Sequence, residues 1–302
     1  METFLEQLFN GVSIGSILLL VALGLTFTFG QMGVINMAHG EFIMAGAYTP
    51  YMLQTSSIGL FAGATGAGFA FVVALPLAFL LAGLMGVILE RVLIRRMYGR
   101  PLDTLLVTFG VSLMLQQGAK DLFGAPNVNV RAPTWLTGNW TGLGVTMPHS
   151  RLFIMALVAA VIAAVSIALA RLPQGRRMRA VTQHRDLADV SGIATRRVDA
   201  GTFFLGSGLA GIAGVAVALI GAIGSQIGTA YVIDAFLVVI VGGLGKLRGA
   251  VIAAFTIGIV NAFSEFGTSA SLGKAIVFAC VVVFLQFRPN GLVTFRTRGL
   301  TA

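Results

Sequence analysis

The sequence predicts an all-α, polytopic integral membrane helix bundle of about 8–10 transmembrane helices with broken or re-entrant segments. Three observations predict it. Hydrophobic residues make up 57% of the chain and charged ones 10%, with a mean hydropathy of +0.92. A soluble domain carries about 25% charged residues and could not cover its surface with so few. The apolar runs at 9–30, 58–90, 151–170, 201–223, 249–263 and 275–287 mostly exceed the needs of a core helix, and a bilayer-spanning helix takes about 20 apolar residues. The basic residues fall in short segments between those runs, as in cytoplasmic loops. The period-two alternation of barrel strands is absent.

Taken in order, the start METFLEQLFN carries Glu2 and Glu6 instead of a basic n-region, so no cleavable signal peptide is expected. Crossings are predicted at 9–30, 33–53, 62–90, 103–124, 151–171, 201–223, 231–246, 249–266 and 272–288, in one transmembrane domain spanning 1–302. The N-terminus then lies outside and the C-terminus in the cytoplasm. The reverse would put 16 of the 20 basic residues outside, among them Arg95, Arg176, Arg197, Arg296 and Arg298. The run 58–90 is too long for one untilted span and has room for a re-entrant piece. Cys280 stands alone in a late apolar run, which rules out an intrachain disulfide and marks it as a packing residue. The net charge of +9 does not indicate nucleic acid, because the basic residues are not interleaved with aromatics on one face.

Two loops stand out. Residues 125–150, outside, hold three prolines and both tryptophans, Trp135 and Trp140. They suit a helix anchor at the interface or a contact surface for an extracytoplasmic partner. Residues 173–199, inside, begin with the helix-stopping Pro173 and Gly175. Met178 to Ser191 then reads as one amphipathic helix. Met178, Val181, Leu187, Ala188 and Val190 share a broad face, while Arg179, Gln183, Arg185, Asp186 and Asp189 take the others. Gly192 is a C-cap. Such a helix lies on anionic lipid or docks in a groove of another protein. Its carboxylates favour the protein.

The stretch VINMAHGEFIMAGAY, 34–48, places Asn36, His39 and Glu41 inside an apolar run, with Gly40 between the last two. Polar groups at that depth are costly, so they are paired or functional. Thr26, Thr28 and Gln31 precede them, and Gln116 and Gln117 lie in the fourth span. Glu265 and Lys274 are a candidate pair. GGLGKLRG at 242–249 lacks the Ser or Thr of a P-loop, so no nucleotide site is expected in this chain. No metal-ligand spacing and no nucleophile–base pair is evident. A faint repeat sets Gly30 and Val-Ile-Asn36 against Gly228 and Val-Ile-Asp234. Interrupted segments recurring in two halves are the pattern sought in transporters.

Residues 30–48 and 174–249 resemble the permease of bacterial ABC importers of the branched-chain amino acid type. The resemblance rests on Asn-x-Ala-His-Gly-Glu, the Arg-rich loop ending in Gly-Ile, and GGLGKLRGA. GQMGVINMAHGEFIMAGAYT, MRAVTQHRDLA, YVIDAFLVVIVGGLG and LQFRPNGL are similar to the urea branch. A large N-terminal region found in some urea-branch members is missing. The resemblance implies a bacterial inner-membrane subunit. Its implied partners are a second homologous permease, two cytoplasmic ATPases carrying ATP and Mg, and an extracytoplasmic substrate-binding protein. It also implies that 178–192 is the coupling helix, with Met178, Val181, Arg185, Asp186, Leu187, Val190 and Gly192 facing the ATPase.

A urea path needs hydrogen-bonding groups without net charge. Asn36, His39, Gly40, Glu41, Asp234, Gln31 and Thr28 are therefore the expected lining, with Gly40 breaking the helix and Glu41 holding His39 or accepting from an N–H. The alternative is that these groups only tie helices together. Branched-chain amino acids are the second substrate class. A stand-alone channel or secondary transporter would need no coupling helix, and a membrane enzyme would need a catalytic constellation.

Overall fold

The computed structural model of the chain describes residues 2–56, 63–142 and 145–293. The start of the run 58–90, residues 143 and 144 of the outer loop, and Arg296 and Arg298 lie outside the described residues. The helices are α1 (Glu2–Met32), α2 (His39–Thr55), α3 (Gly63–Val92), α4 (Pro101–Phe123), α5 (His149–Arg171), α6 (Pro173–Gln183), α7 (Arg185–Val190), α8 (Thr195–Val217), α9 (Ile227–Gly242), α10 (Leu247–Gly267) and α11 (Ala270–Phe287). Among the described residues six helices are long and apolar enough to cross a membrane: α1, α3, α5, α8, α10 and α11. The protein is an all-α, multi-pass membrane bundle.

Three predicted crossings need correction. The segment 103–124 forms α4, which at 23 residues is long enough but not among the helices apolar enough to cross. The segments 33–53 and 231–246 form α2 and α9, of 17 and 16 residues. At about 1.5 Å per residue each is some 25 Å long, short of the ~30 Å hydrocarbon core. The chain turns back after α1 at Gly33, whose φ of 63° suits glycine. It then runs without regular structure to His39, so α2 starts partway along α1.

α1 and α8 form the centre, and most of α2 packs against α8. Both central helices carry glycine faces. A Cβ built on Gly24 would sit 2.1 Å from the Gly206 oxygen, and one on Gly206 would sit 2.7 Å from the Gly24 oxygen. Bare backbones therefore touch where α1 crosses α8, a packing that small residues permit in membranes. α1 packs on α10 through Gly11, Gly15 and Gly258, and α8 packs on α3 through Gly83, Gly86, Gly208 and Gly211. Exchanging α1–α3 with α8–α10 leaves this pattern unchanged, so the chain holds an internal repeat. Its register differs from the sequence match: Gly228 meets Gly40, not a counterpart of Gly30, which packs on Gly245. Backbone approach, not the Val-Ile motif, sets the equivalence.

The N-terminus and the loop 125–150 share one end, where Arg151 donates to Asn10 Oδ1 at 2.6 Å. That loop contains two antiparallel strands, β1 (Asn139–Gly142) and β2 (Val145–Pro148). Trp135 packs edge-on against Phe153 of α5, and both tryptophans are about half exposed. α6 and α7 lie at the opposite end with residues 288–293. The single amphipathic helix expected over 178–191 is instead two helices broken at His184, which is extended. Pro173 does not merely stop α5 but opens α6 at its first turn. Cys280 is exposed on α11, so it is not a packing residue within this chain.

Candidate functional site

The shortened helices α2 and α9 meet at their N-termini. A Cβ on Gly40 would lie 2.4 Å from the Gly228 oxygen, and one on Gly228 would lie 2.0 Å from the Gly40 oxygen. Gly40 therefore does not break a helix, as expected from sequence; it sits in the first turn of α2 and lets two helix starts touch. Helix starts carry unpaired N–H groups and a partial positive charge. Glu41, in that first turn, complements it.

Glu41 is fully buried. Its Oε1 accepts from Ser112 Oγ and from Gln116 Nε2, each at 2.8 Å, and Oε2 has no partner among the described residues. It does not hold His39, because the two side chains leave α2 in different directions. Gln116 Nε2 also reaches Ser112 Oγ at 3.2 Å and Thr229 Oγ1 of α9 at 3.0 Å. Gln116 Oε1 accepts no bond from any described residue, so an acceptor remains for a solute N–H.

These groups stand at a cavity of about 430 Å³ between α4, α9 and the turn before α2. Ser112, Gln116 and Thr229 supply its polar part, backed by Glu41. Met37, Phe109, Leu113 and Val232 supply the apolar part. Thr108 anchors the turn by accepting from the Met37 N–H at 3.0 Å. The sequence reading missed Thr108, Ser112 and Thr229, and left Gln116 ambiguous. The available signal was spacing: Thr104, Thr108, Ser112 and Gln116 recur every four residues and are the buried polar stripe of α4.

The other expected lining residues part company. His39 is fully buried, with Nε2 3.1 Å from the Val21 oxygen, which ties α2 to α1. Asn36 is fully buried, and neither atom of its amide has a partner among the described residues. Thr28 bonds back to its own helix, at 3.4 Å to the Gly24 oxygen. Gln31 Oε1 accepts from Thr202 Oγ1 of α8 at 3.1 Å. Gln117 donates to Asp121 at the surface. Asp234 is not in the cavity; it meets Lys274 of α11 at 3.4 Å. The expected Glu265–Lys274 pair is thus replaced, and Glu265 accepts from Asn261 at 3.0 Å.

At the far end, α6 and α7 divide their apolar residues. Met178, Val181 and Ala188 are buried in the chain, whereas Leu187 is 60% and Val190 82% exposed. Met178 and Val181 therefore do not face outward with Leu187 and Val190, as one helix would require. Arg185 also turns inward. Its guanidinium grips both oxygens of Asp199, one at 3.2 Å, and lies 5.1 Å over the Tyr98 ring. Asp199 pushes the Arg185 pKa up, through hydrogen bonding first. Burial chiefly, with Asp199 and Glu90 beside it, pushes the Tyr98 phenol up. Tyr98 donates to Glu90 Oε1 at 3.1 Å, and Arg95 binds the same buried carboxylate at 3.0 and 3.1 Å. A chain of charged contacts thus links α7 to α8 and α3. Asp186 is exposed, and Gly192, with φ 82°, ends the turn after α7. Among the described residues no group of His, Cys, Asp and Glu is placed to hold a metal ion.

A multi-pass bundle with two short helices from a repeat, whose starts meet beside an open cleft with a polar end, has the architecture of a membrane transport protein. The chain belongs to the family described as branched-chain amino acid transport system / permease component, which matches residues 7–285. It is 31% identical over 303 residues to the high-affinity branched-chain amino acid transport system permease protein LivH of Escherichia coli K12, covering 96% of this chain and 95% of that one. It is 28% identical to BraD, the permease protein of the same description from Pseudomonas aeruginosa, with the same coverage. It is 25% identical to LivM of E. coli K12, covering 92% of this chain and 68% of that one. No solved structure matches the chain. The urea branch finds no support in these relatives, and the branched-chain reading fits them better.

Proposed function

We propose that this chain is a permease subunit of an ATP-driven importer in the bacterial inner membrane, with a branched-chain amino acid as its solute. The cavity between α4 and α9 carries the proposal. Its apolar wall of Met37, Phe109, Leu113 and Val232 suits an aliphatic side chain, which urea lacks. Its polar end, with Gln116, Ser112 and the Glu41 carboxylate behind them, suits an ammonium group. The adjoining helix starts at Gly40 and Gly228 suit a carboxylate.

The relatives' names support the same solute class. LivH and LivM are both named as permease proteins of one kind of transport system in one organism, and this chain is similar to both. That supports pairing with a second, homologous permease. The exposed Leu187 and Val190 support docking of a cytoplasmic ATPase, and the loop 125–150 supports contact with an extracytoplasmic binding protein. ATP and Mg then belong to the ATPase subunits. The orientation follows the basic residues, with the N-terminus outside and α6–α7 in the cytoplasm.

The test is uptake of labelled leucine and labelled urea by cells with and without the chain, normalised to assembled complex. Leucine uptake that depends on the chain and falls about 5- to 150-fold in Gln116→Leu is expected, from loss of a hydrogen-bonding group worth ~1–3 kcal/mol. Chain-dependent urea uptake with no leucine uptake would overturn the reading.

A further inference from the structure

A second cleft lies on the other side of α9 from the cavity above, at the end that carries the loop 125–150. Its volume is about 310 Å³. We propose that it is a separate binding site for an α-amino acid zwitterion, an outer staging site for the solute. The inference deepens the function proposed above and rests on its solute class.

Three observations carry it. First, the cleft brings both signs of charge to walls that come from different helices. Asp234 of α9 and Glu265 of α10 supply carboxylates, while Arg151 of α5 and Lys274 of α11 supply cations. The groups are incompletely matched to one another. Lys274 and Asp234 stand 3.4 Å apart, beyond the ~2.7–2.9 Å of a strong charge-assisted bond. Glu265 takes its hydrogen bond from the neutral Asn261, and Arg151 gives one to the neutral Asn10. An ammonium between the carboxylates and a carboxylate between the cations would complete both.

Second, Ser13 is among the residues around the cleft and is 1% exposed, and its Oγ has no partner among the described residues. A buried hydroxyl without a partner is costly, and a ligand oxygen or N–H would satisfy it. Third, Ile14, Ile17 and Leu18 of α1 form an apolar floor beside the charges. Inorganic ions and urea have no use for such a floor; an aliphatic amino acid does.

Position gives the site its place in transport. Ala230 lines both this cleft and the cavity between α4 and α9. Only the first turns of α9 separate them. That helix starts at the Gly40–Gly228 contact.

Equilibrium binding of labelled L-leucine to the purified membrane complex in lipid nanodiscs tests the inference. Two sites on this chain are expected. Asp234→Asn and Lys274→Gln should each remove one, with affinity there falling at least about tenfold, as for a lost charge-assisted bond. Lys274→Arg should keep it. Gln116→Leu should remove only the other. Leucinamide, which lacks the carboxylate, and 4-methylpentanoate, which lacks the ammonium, should fail to displace leucine from the Asp234-dependent site. Unchanged stoichiometry in both Asp234→Asn and Lys274→Gln would overturn the inference. So would urea or leucinamide competing there as well as leucine. If only the Gln116-dependent site is found, this inference falls and the proposed function stands. If only the Asp234-dependent site is found, the cavity between α4 and α9 is misread and the staging site stands.

Discussion

Gly40 and Gly228 meet backbone to backbone at the starts of α2 and α9, each occupying the space a side chain would need on the other. The obstructing atoms are main-chain carbonyls, which cannot swing aside as a flexible side chain does. Gly40→Ala and Gly228→Ala should each destabilise the bundle by about 1–3 kcal/mol, the usual cost of overpacking. Thermal unfolding in detergent and yield of assembled protein measure this. A melting temperature equal to the wild type in both variants would show that the contact is loose.

His39 and Asn36 are both fully buried, but they should behave oppositely. His39 bonds the Val21 oxygen, so His39→Leu loses a tie between α2 and α1 and should lower stability by about 0.5–1.5 kcal/mol. Asn36 has an unpartnered amide, so Asn36→Leu should leave the melting temperature unchanged or raise it. If that amide serves solute passage, uptake per complex drops in Asn36→Leu alone. A melting temperature lowered equally in both variants would contradict this division.

Leu187 and Val190 project from α7 and support nothing inside the chain. Leu187→Arg and Val190→Arg should leave expression and melting temperature near the wild type. Pull-down of the ATPase should fail, because an unpaired charge would have to enter an apolar groove at about several kcal/mol. Normal co-purification and uptake would remove this face from the coupling surface.

Arg185 and Asp199 form the inward half of the same region, with Asp199 only 2% exposed. Arg185 is 42% exposed, so its loss strands the buried Asp199 carboxylate at a cost of about 1–3 kcal/mol. Arg185→Ala should therefore be more damaging than the double variant Arg185→Ala/Asp199→Ala. A double-mutant cycle on thermal stability gives the coupling directly. Strictly additive effects would show that the pair does not hold α7 to α8.

Cysteine labelling checks the orientation. Thr137 is exposed at one end and Gln183 at the other. In a Cys280→Ser background, Thr137→Cys should react with an impermeant reagent from outside. Gln183→Cys should react only after the membrane is opened. The reverse pattern would overturn the orientation read from the basic residues.

Much of the fold was legible in the sequence. Composition and run length alone require a helical membrane bundle, because in lipid each backbone group must be satisfied within its own segment. The end-to-end placement of the loops 125–150 and 173–199 also follows from the order of the runs. Asn36, His39 and Glu41 stood out because polar atoms are conspicuous in an apolar context. Which way each points was not legible. Within one turn His39 reaches α1 and Glu41 reaches α4, and only packing decides that.

The rest belongs to tertiary structure. The shortening of α2 and α9, the partition of Met178 and Val181 from Leu187 and Val190, and the pairing of Asp234 with Lys274 all depend on contacts between residues far apart in the chain. Glycine made these hardest to read. It leaves no side-chain pattern, yet it sets how closely α1 meets α8 and α2 meets α9. The sequence by itself determined that the chain crosses the membrane as helices, since local apolarity and backbone hydrogen bonding suffice for that. The tertiary structure alone decided which polar groups share a cavity, since that depends on where glycine faces let backbones touch.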